Sequence, residues 1–149
     1  MSVPESRRGH GKFEVCVRAN QLAIYTIQIC SNKKVFTEQY QEAVTSDLIR
    51  LAKDIYIKVR TANGIYIKAS ADPKEVADAE RQKAQERRRL QESAIADCNS
   101  LLALMDIAKR VFHLSSKRIR YWGALTIEVR EYIQRWKDAD RKRYAALLK

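Results

Sequence analysis

The stretch VTSDLIRLAKDIYIKVRTA, residues 44–62, decides the fold. Val44, Leu48, Leu51, Ile55, Val59 and Ala62 recur in it at steps of four and three. That is the period of an amphipathic helix with one apolar face, not the strict alternation of a strand. Working outward, three more segments carry comparable stripes. From Phe13 to about Cys30 the chain is strongly apolar, with Phe13, Val17, Ile24 and Ile27 near helical spacing and Leu22, Tyr25 and Ile29 widening the face. Leu90, Ala94, Cys98, Leu101, Met105, Ala108 and Phe112 form a third stripe. Ile119, Trp122, Leu125, Val129, Ile133 and Trp136 form a fourth, preceded by a Ser115-Ser116 cap. Four stripes must face one another to leave water, and short connectors place successive helices antiparallel. The expected architecture is therefore all-α, an up-down-up-down four-helix bundle, with Leu48, Leu51, Ile55, Leu101, Met105, Trp122, Val129 and Ile133 in its core.

The punctuation fits this reading. Only four Gly and two Pro occur, and Pro4, Gly9 and Gly11 fall in a basic arm, residues 1–12, ahead of a single bundle domain over 13–149. Residues 31–34 make a polar connector, and Thr37 with Glu38 has the form of an N-cap followed by a first-turn acid. Asn63-Gly64 is a candidate C-cap, although Ile65-Tyr66-Ile67 would also extend the helix. Asp72-Pro73-Lys74-Glu75 reads as a capping box opening the third helix. Residues 70–89 form a charged insertion between helices 2 and 3. Over 73–89 the apolar content is mostly alanine, so its first half is expected to add little core, and the segment to project, fray or be partly disordered.

Composition narrows the function. A chain of 149 residues holds one domain with a real core. No apolar run reaches the ~18–20 residues of a membrane span, and no apolar stretch of signal type follows the basic start, so a cytoplasmic location is expected. Cys16, Cys30 and Cys98 are odd in number and lack metal-ligand spacing. Cys16 and Cys30 lie roughly 21 Å apart along one helix, too far for a disulfide, so reduced and mostly buried thiols are expected. His10 and His113 are too few and too separated for a metal cluster. Di-metal bundles need Glu-x-x-His pairs, and the sequence has none. It also lacks the P-loop, GxGxxG, GxSxG and HExxH patterns. Asp47, Asp54, Asp97 and Asp106 read as exposed or salt-bridging acids. No enzyme, cofactor or metal reading finds support.

The informative chemistry is basic. The chain carries a net charge of +11, which attracts polyanions. Residues 117–149 hold ten Lys/Arg against four Asp/Glu, whereas residues 13–72 hold eight against six. On helix 4, Glu131 with Arg135 and Asp138 with Lys142 stand at i,i+4 on the outer face. Arg120, Arg130, Lys137 and Arg141 fall on a flank with no acid at that spacing, the pattern a phosphate backbone would engage. The competing reading is a solvated flank, or pairing with acids of a neighbouring helix. Lys33 and Lys34 of the first connector join the candidate nucleic-acid-binding set. The Arg87-Arg88-Arg89 run is a weaker signal because Glu86 and Glu92 adjoin it. Trp122 and Trp136 belong to the apolar stripe, which favours packing over base stacking.

Three stretches carry a resemblance. They are Ser31-Asn32-Lys33-Lys34-Val35-Phe36 followed by a helix ending in Arg60-Thr61-Ala62-Asn63; Arg89-Leu90-Gln91-Glu92 leading into Leu101-Leu102-Ala103-Leu104; and Leu114-Ser115-Ser116-Lys117 through Trp136-Lys137-Asp138-Ala139-Asp140-Arg141-Lys142-Arg143. From about Phe13 to Arg143 the chain resembles the accessory variability determinant proteins of diversity-generating retroelements. These belong to a wider group of bacterial four-helix proteins that includes those encoded in rRNA intervening sequences. The Trp-Lys-x-x-Asp-Arg ending is the most specific element, while residues 73–89 and the N-terminal arm depart from the family pattern. The resemblance implies a ring-shaped homopentamer that binds a reverse transcriptase and its template RNA, with DNA as a further ligand, and supports adenine-directed mutagenic cDNA synthesis. The alternative expectation is a helical scaffold or rRNA-associated protein acting through protein contacts or general RNA contacts.

Overall fold

A computed structural model describes residues 12–68 and 77–148, the side chains of Lys12 and Phe13 excepted. Residues 1–11 of the basic arm and the Asp72-Pro73 helix start lie outside the described residues, and Lys12 opens the first helix. Among the described residues the fold is made of four α-helices: α1 (Lys12–Cys30), α2 (Ser46–Asn63), α3 (Asp78–Val111) and α4 (Ser116–Arg143). Each packs against its neighbours in sequence, and α1 closes the ring against α4. This is the expected antiparallel bundle, and the described residues contain no strand. All eight residues expected in the core are buried: Leu48, Leu51, Ile55, Leu101, Met105, Trp122, Val129 and Ile133.

The face of α1 is a correction. Val15, Cys16, Ala19, Leu22, Ala23, Thr26, Ile29 and Cys30 point inward, while Ile24 and Ile27 are 46% and 39% exposed. The helix is apolar around most of its circumference, so periodicity alone did not select the buried side. Two contacts do. The small residues Cys16, Ala19 and Ala23 let neighbouring helices approach, and the Thr26 hydroxyl accepts a 3.0 Å hydrogen bond from Trp122 Nε1 in the core. That partner removes the cost of burying both groups.

The helix ends follow local chemistry. Thr37 makes no side-chain cap; the chain instead passes through a 3-10 turn, Glu38–Tyr40, and a π turn, Gln41–Thr45, before α2 becomes regular. The anchor of this connector is Phe36. It is fully buried and meets Phe112 edge-on at 4.7 Å and Trp122 at 6.2 Å, plugging the end of the bundle. α2 stops at Asn63, where the Gly64 N–H donates to the Arg60 and Thr61 carbonyls, so Ile65-Tyr66-Ile67 do not prolong it. At the end of α3, His113 takes φ +53°. The Leu114 N–H then donates to the Lys109 carbonyl at 3.1 Å, and Leu114 is buried. This is the left-handed Schellman ending usually built on Gly or Asn. Ser115 caps α4 as expected, its hydroxyl accepting from the Arg118 N–H at 3.2 Å.

The start of α3 adds little core, as expected of the first half of the charged segment: among the described residues 77–83 none is buried. From Asp78 onward it is a continuous helix, and Ala84 joins Ile67, Tyr144 and Leu147 in a small second core. The second half of the charged segment thus contributes packing, because residues after α4 fold back over it. Arg81 Nη1 donates to the Ala146 carbonyl at 3.1 Å in the same place.

Candidate nucleic-acid interface

The six candidate cations do not form one patch. Lys33, Lys34 and Arg120 lie at the bundle end where α1 and α3 finish, Arg141 at the opposite end, and Arg130 and Lys137 between. Arg120 and Arg141 are separated by about 32 Å along α4. At ~100° per residue, Arg130, Lys137 and Arg141 share a flank toward α3, whereas Arg120 is rotated about 80° outward from Arg130.

Their electrostatic standing also differs. Lys137 sits 3.3 Å from Glu92 of α3 and is only 23% exposed, so it has the neighbouring-helix acid that i,i+4 spacing could not reveal. Glu92 is shared with Arg88, and its carboxyl is held below the usual range chiefly by the Arg88 hydrogen bond, then by Lys137. Arg130 donates to Asn99 Oδ1 at 2.8 Å, a neutral partner that leaves its charge uncompensated. Lys33 meets Glu38 at 3.0 Å with both side chains largely in solvent, an ion pair of little strength. Lys34, Arg120 and Arg141 are exposed and make no ion pair among the described residues.

Sequence reasoning missed three cations. Lys109, Arg110 and Lys117 are exposed at the same end as Lys33, Lys34 and Arg120 and make no ion pair among the described residues. Lys109 and Arg110 stand in the last turn of α3, where basic residues complement the helix dipole, so the sequence offered a structural reason for them. Of the other pairs, Glu131 lies 3.7 Å from Arg135, but Asp138 accepts from Gln134 rather than from Lys142. The lone acids are paired where expected: Asp97 with Lys58 across helices at 2.6 Å, and Asp47 and Asp54 with Arg50. Asp106 is exposed.

Arg87 departs most from the sequence reading. It is buried, with Nε and Nη2 donating to the two oxygens of Asp140 at 2.7 and 3.0 Å. Gln91 Nε2 donates to the same carboxylate at 2.8 Å. The guanidinium lies between the Trp136 ring, 5.1 Å away, and the Tyr144 ring, 5.7 Å away. Trp136 and Asp140 of the Trp-Lys-x-x-Asp-Arg run therefore clamp α4 to α3, and Arg88 and Arg89 remain outside with Glu92 and Glu86.

The three cysteines are free and buried, and burial pushes the Cys30 and Cys98 thiols up to about 12. No group of metal-ligating side chains is found among the described residues. No described helix is long and apolar enough to cross a membrane. Compared with family models, curated proteins and solved structures, the chain matches none.

Proposed function

We propose that this chain is a non-enzymatic, nucleic-acid-binding accessory subunit of a reverse transcriptase in a diversity-generating retroelement, supporting mutagenic cDNA synthesis from template RNA. The observation that carries the binding part is the excess of exposed cations lacking an acidic partner among the described residues: Lys34, Lys109, Arg110, Lys117 and Arg120 at one end, with Arg141 at the other. Cations paired within the fold contribute little net field. These remain available to replace counterions along a phosphate chain. The retroelement assignment rests on the sequence resemblance. A bundle clamped at Trp136, Asp140 and Arg87 gives the resemblance's most specific residues a physical role.

Reconstitution tests it. With the cognate reverse transcriptase and template RNA, adenine-directed errors in the cDNA are expected to require this chain. Equal error frequencies with and without it would refute the role. The alternative, a scaffold acting through protein contacts, draws on Ile24, Ile27 and Ile57, exposed on the adjacent helices α1 and α2. The same exposed isoleucines would serve the ring-shaped homopentamer that the resemblance implies, since apolar side chains left on a surface are covered on association.

A further inference from the structure

Where α2 ends, residues 65–68 are non-helical. Ile67 is buried and Ile65 partly so, while Tyr66 and Lys68 are exposed, the alternation expected of extended backbone. Beside them a pocket of about 340 Å³ is lined by Asn63, residues 64–67, Lys68, Arg87, Arg143 and Tyr144, with no acid among these described residues; Glu80, outside that lining, accepts from the Lys68 backbone N–H at 2.8 Å. That volume lies within the ~300–1,000 Å³ of small-ligand sites. The pocket differs from the rest of the surface in three ways. Arg143 makes no ion pair among the described residues and leans on the Tyr144 ring at 5.5 Å. Asp140 neutralises Arg87 from behind, so the arginine serves as a rigid wall. Tyr66 is 81% exposed, and its ring has no aromatic or cationic partner among the described residues.

Arg143, which has no acidic partner among the described residues, and the exposed Lys68, whose Glu80 neighbour is shared with Lys83, stand beside an unpartnered ring. This is the chemistry of single-stranded nucleic-acid sites, where a base stacks on the aromatic face and its phosphate meets the charge. We propose that this pocket takes one unpaired nucleotide of RNA, with the base against Tyr66, the phosphate between Lys68 and Arg143, and the Asn63 amide at the base edge. The proposal rests on the RNA-binding reading above and deepens it, placing a single-strand site apart from the cations near Arg120. A free phosphate would use Lys68 and Arg143 but not Tyr66.

The test measures the full chain with a fluorescent short oligouridylate and, separately, with a blunt RNA duplex. Tyr66→Ala is expected to weaken oligouridylate binding about ten-fold, the stacking of one base, and to leave duplex binding and the melting temperature unchanged. Arg143→Gln should act in the same direction, and an oligonucleotide carrying 4-thiouridine should crosslink to the peptide containing Tyr66. Unchanged oligouridylate binding by Tyr66→Ala, while Arg120→Glu with Arg141→Glu weakens it, overturns the pocket and leaves the RNA-binding reading standing. Failure of the wild-type chain to bind either RNA overturns both. A Tyr66→Ala variant that loses the polymerase but keeps its RNA affinity assigns the pocket to a protein partner and equally overturns the proposal.

Discussion

At the scale of single residues, Arg87 and Asp140 set the largest stake. An ion pair this deep is held by geometry, with two guanidinium bonds and a glutamine amide on one carboxylate. Removing one partner leaves a buried charge without compensation. Asp140→Ala is therefore expected to cost about 3–5 kcal/mol, whereas replacing both groups with apolar residues should recover most of that. Thermal unfolding of the single and double variants checks this, and equal melting temperatures for Asp140→Ala and wild type would contradict it. The thiols give a second expectation. Cys30 and Cys98 titrate at about 12 in the fold, against 9.0 for a free thiol. They should resist alkylation at pH 8 until the protein is denatured. Because the unfolded thiols ionise first, the native state holds more protons above pH 9. Stability is then fully present below that pH and falls as pH rises toward 12. Denaturant titrations at pH 8 and pH 10.5 measure the loss, and a gain in stability at the higher pH would contradict it.

The turn at His113 is decided at the scale of elements. Its φ of +53° lies where a side chain with a Cβ is strained and Gly is not. His113→Gly should be neutral or slightly stabilising, and His113→Val should destabilise by about 1–2 kcal/mol, both read from chemical unfolding. Equal stability of the Gly and Val variants would mean that the left-handed ending is not formed. The helices themselves were legible to unequal degrees. α2, α3 and α4 each carry one apolar face against a charged one, so period and burial agree. α1 is apolar nearly all round, and the Thr26–Trp122 bond that orients it joins residues 96 apart in sequence. The Arg87–Asp140 clamp, 53 residues apart, was hidden for the same reason. Within an Arg run, nothing local marks the one side chain that turns inward. Likewise, i,i+4 spacing along α4 could not show that Lys137 meets Glu92 of another helix.

For the whole molecule, the outward isoleucines and the unpaired cations make separate expectations. If Ile24, Ile27 and Ile57 are an association surface, light scattering in ~0.3 M salt, where the Debye length is about 5–6 Å, should show an assembly. Ile24→Glu with Ile57→Lys should reduce it to monomer without unfolding the bundle. A wild-type monomer under those conditions would contradict self-association. Binding of nucleic-acid phosphates by exposed, uncompensated cations is the feature on which the proposed function depends. It is read from the salt dependence of RNA affinity for the wild type and for Arg120→Glu with Arg141→Glu. Both positions are exposed and make no ion pair among the described residues, so stability should move by less than about 0.5 kcal/mol. The double variant should bind every RNA tested more weakly by a similar factor, with the slope of log affinity against log salt flattened by about one unit for each phosphate no longer engaged. Wild-type affinity and slope in the double variant, or wild-type binding indifferent to salt, would contradict it.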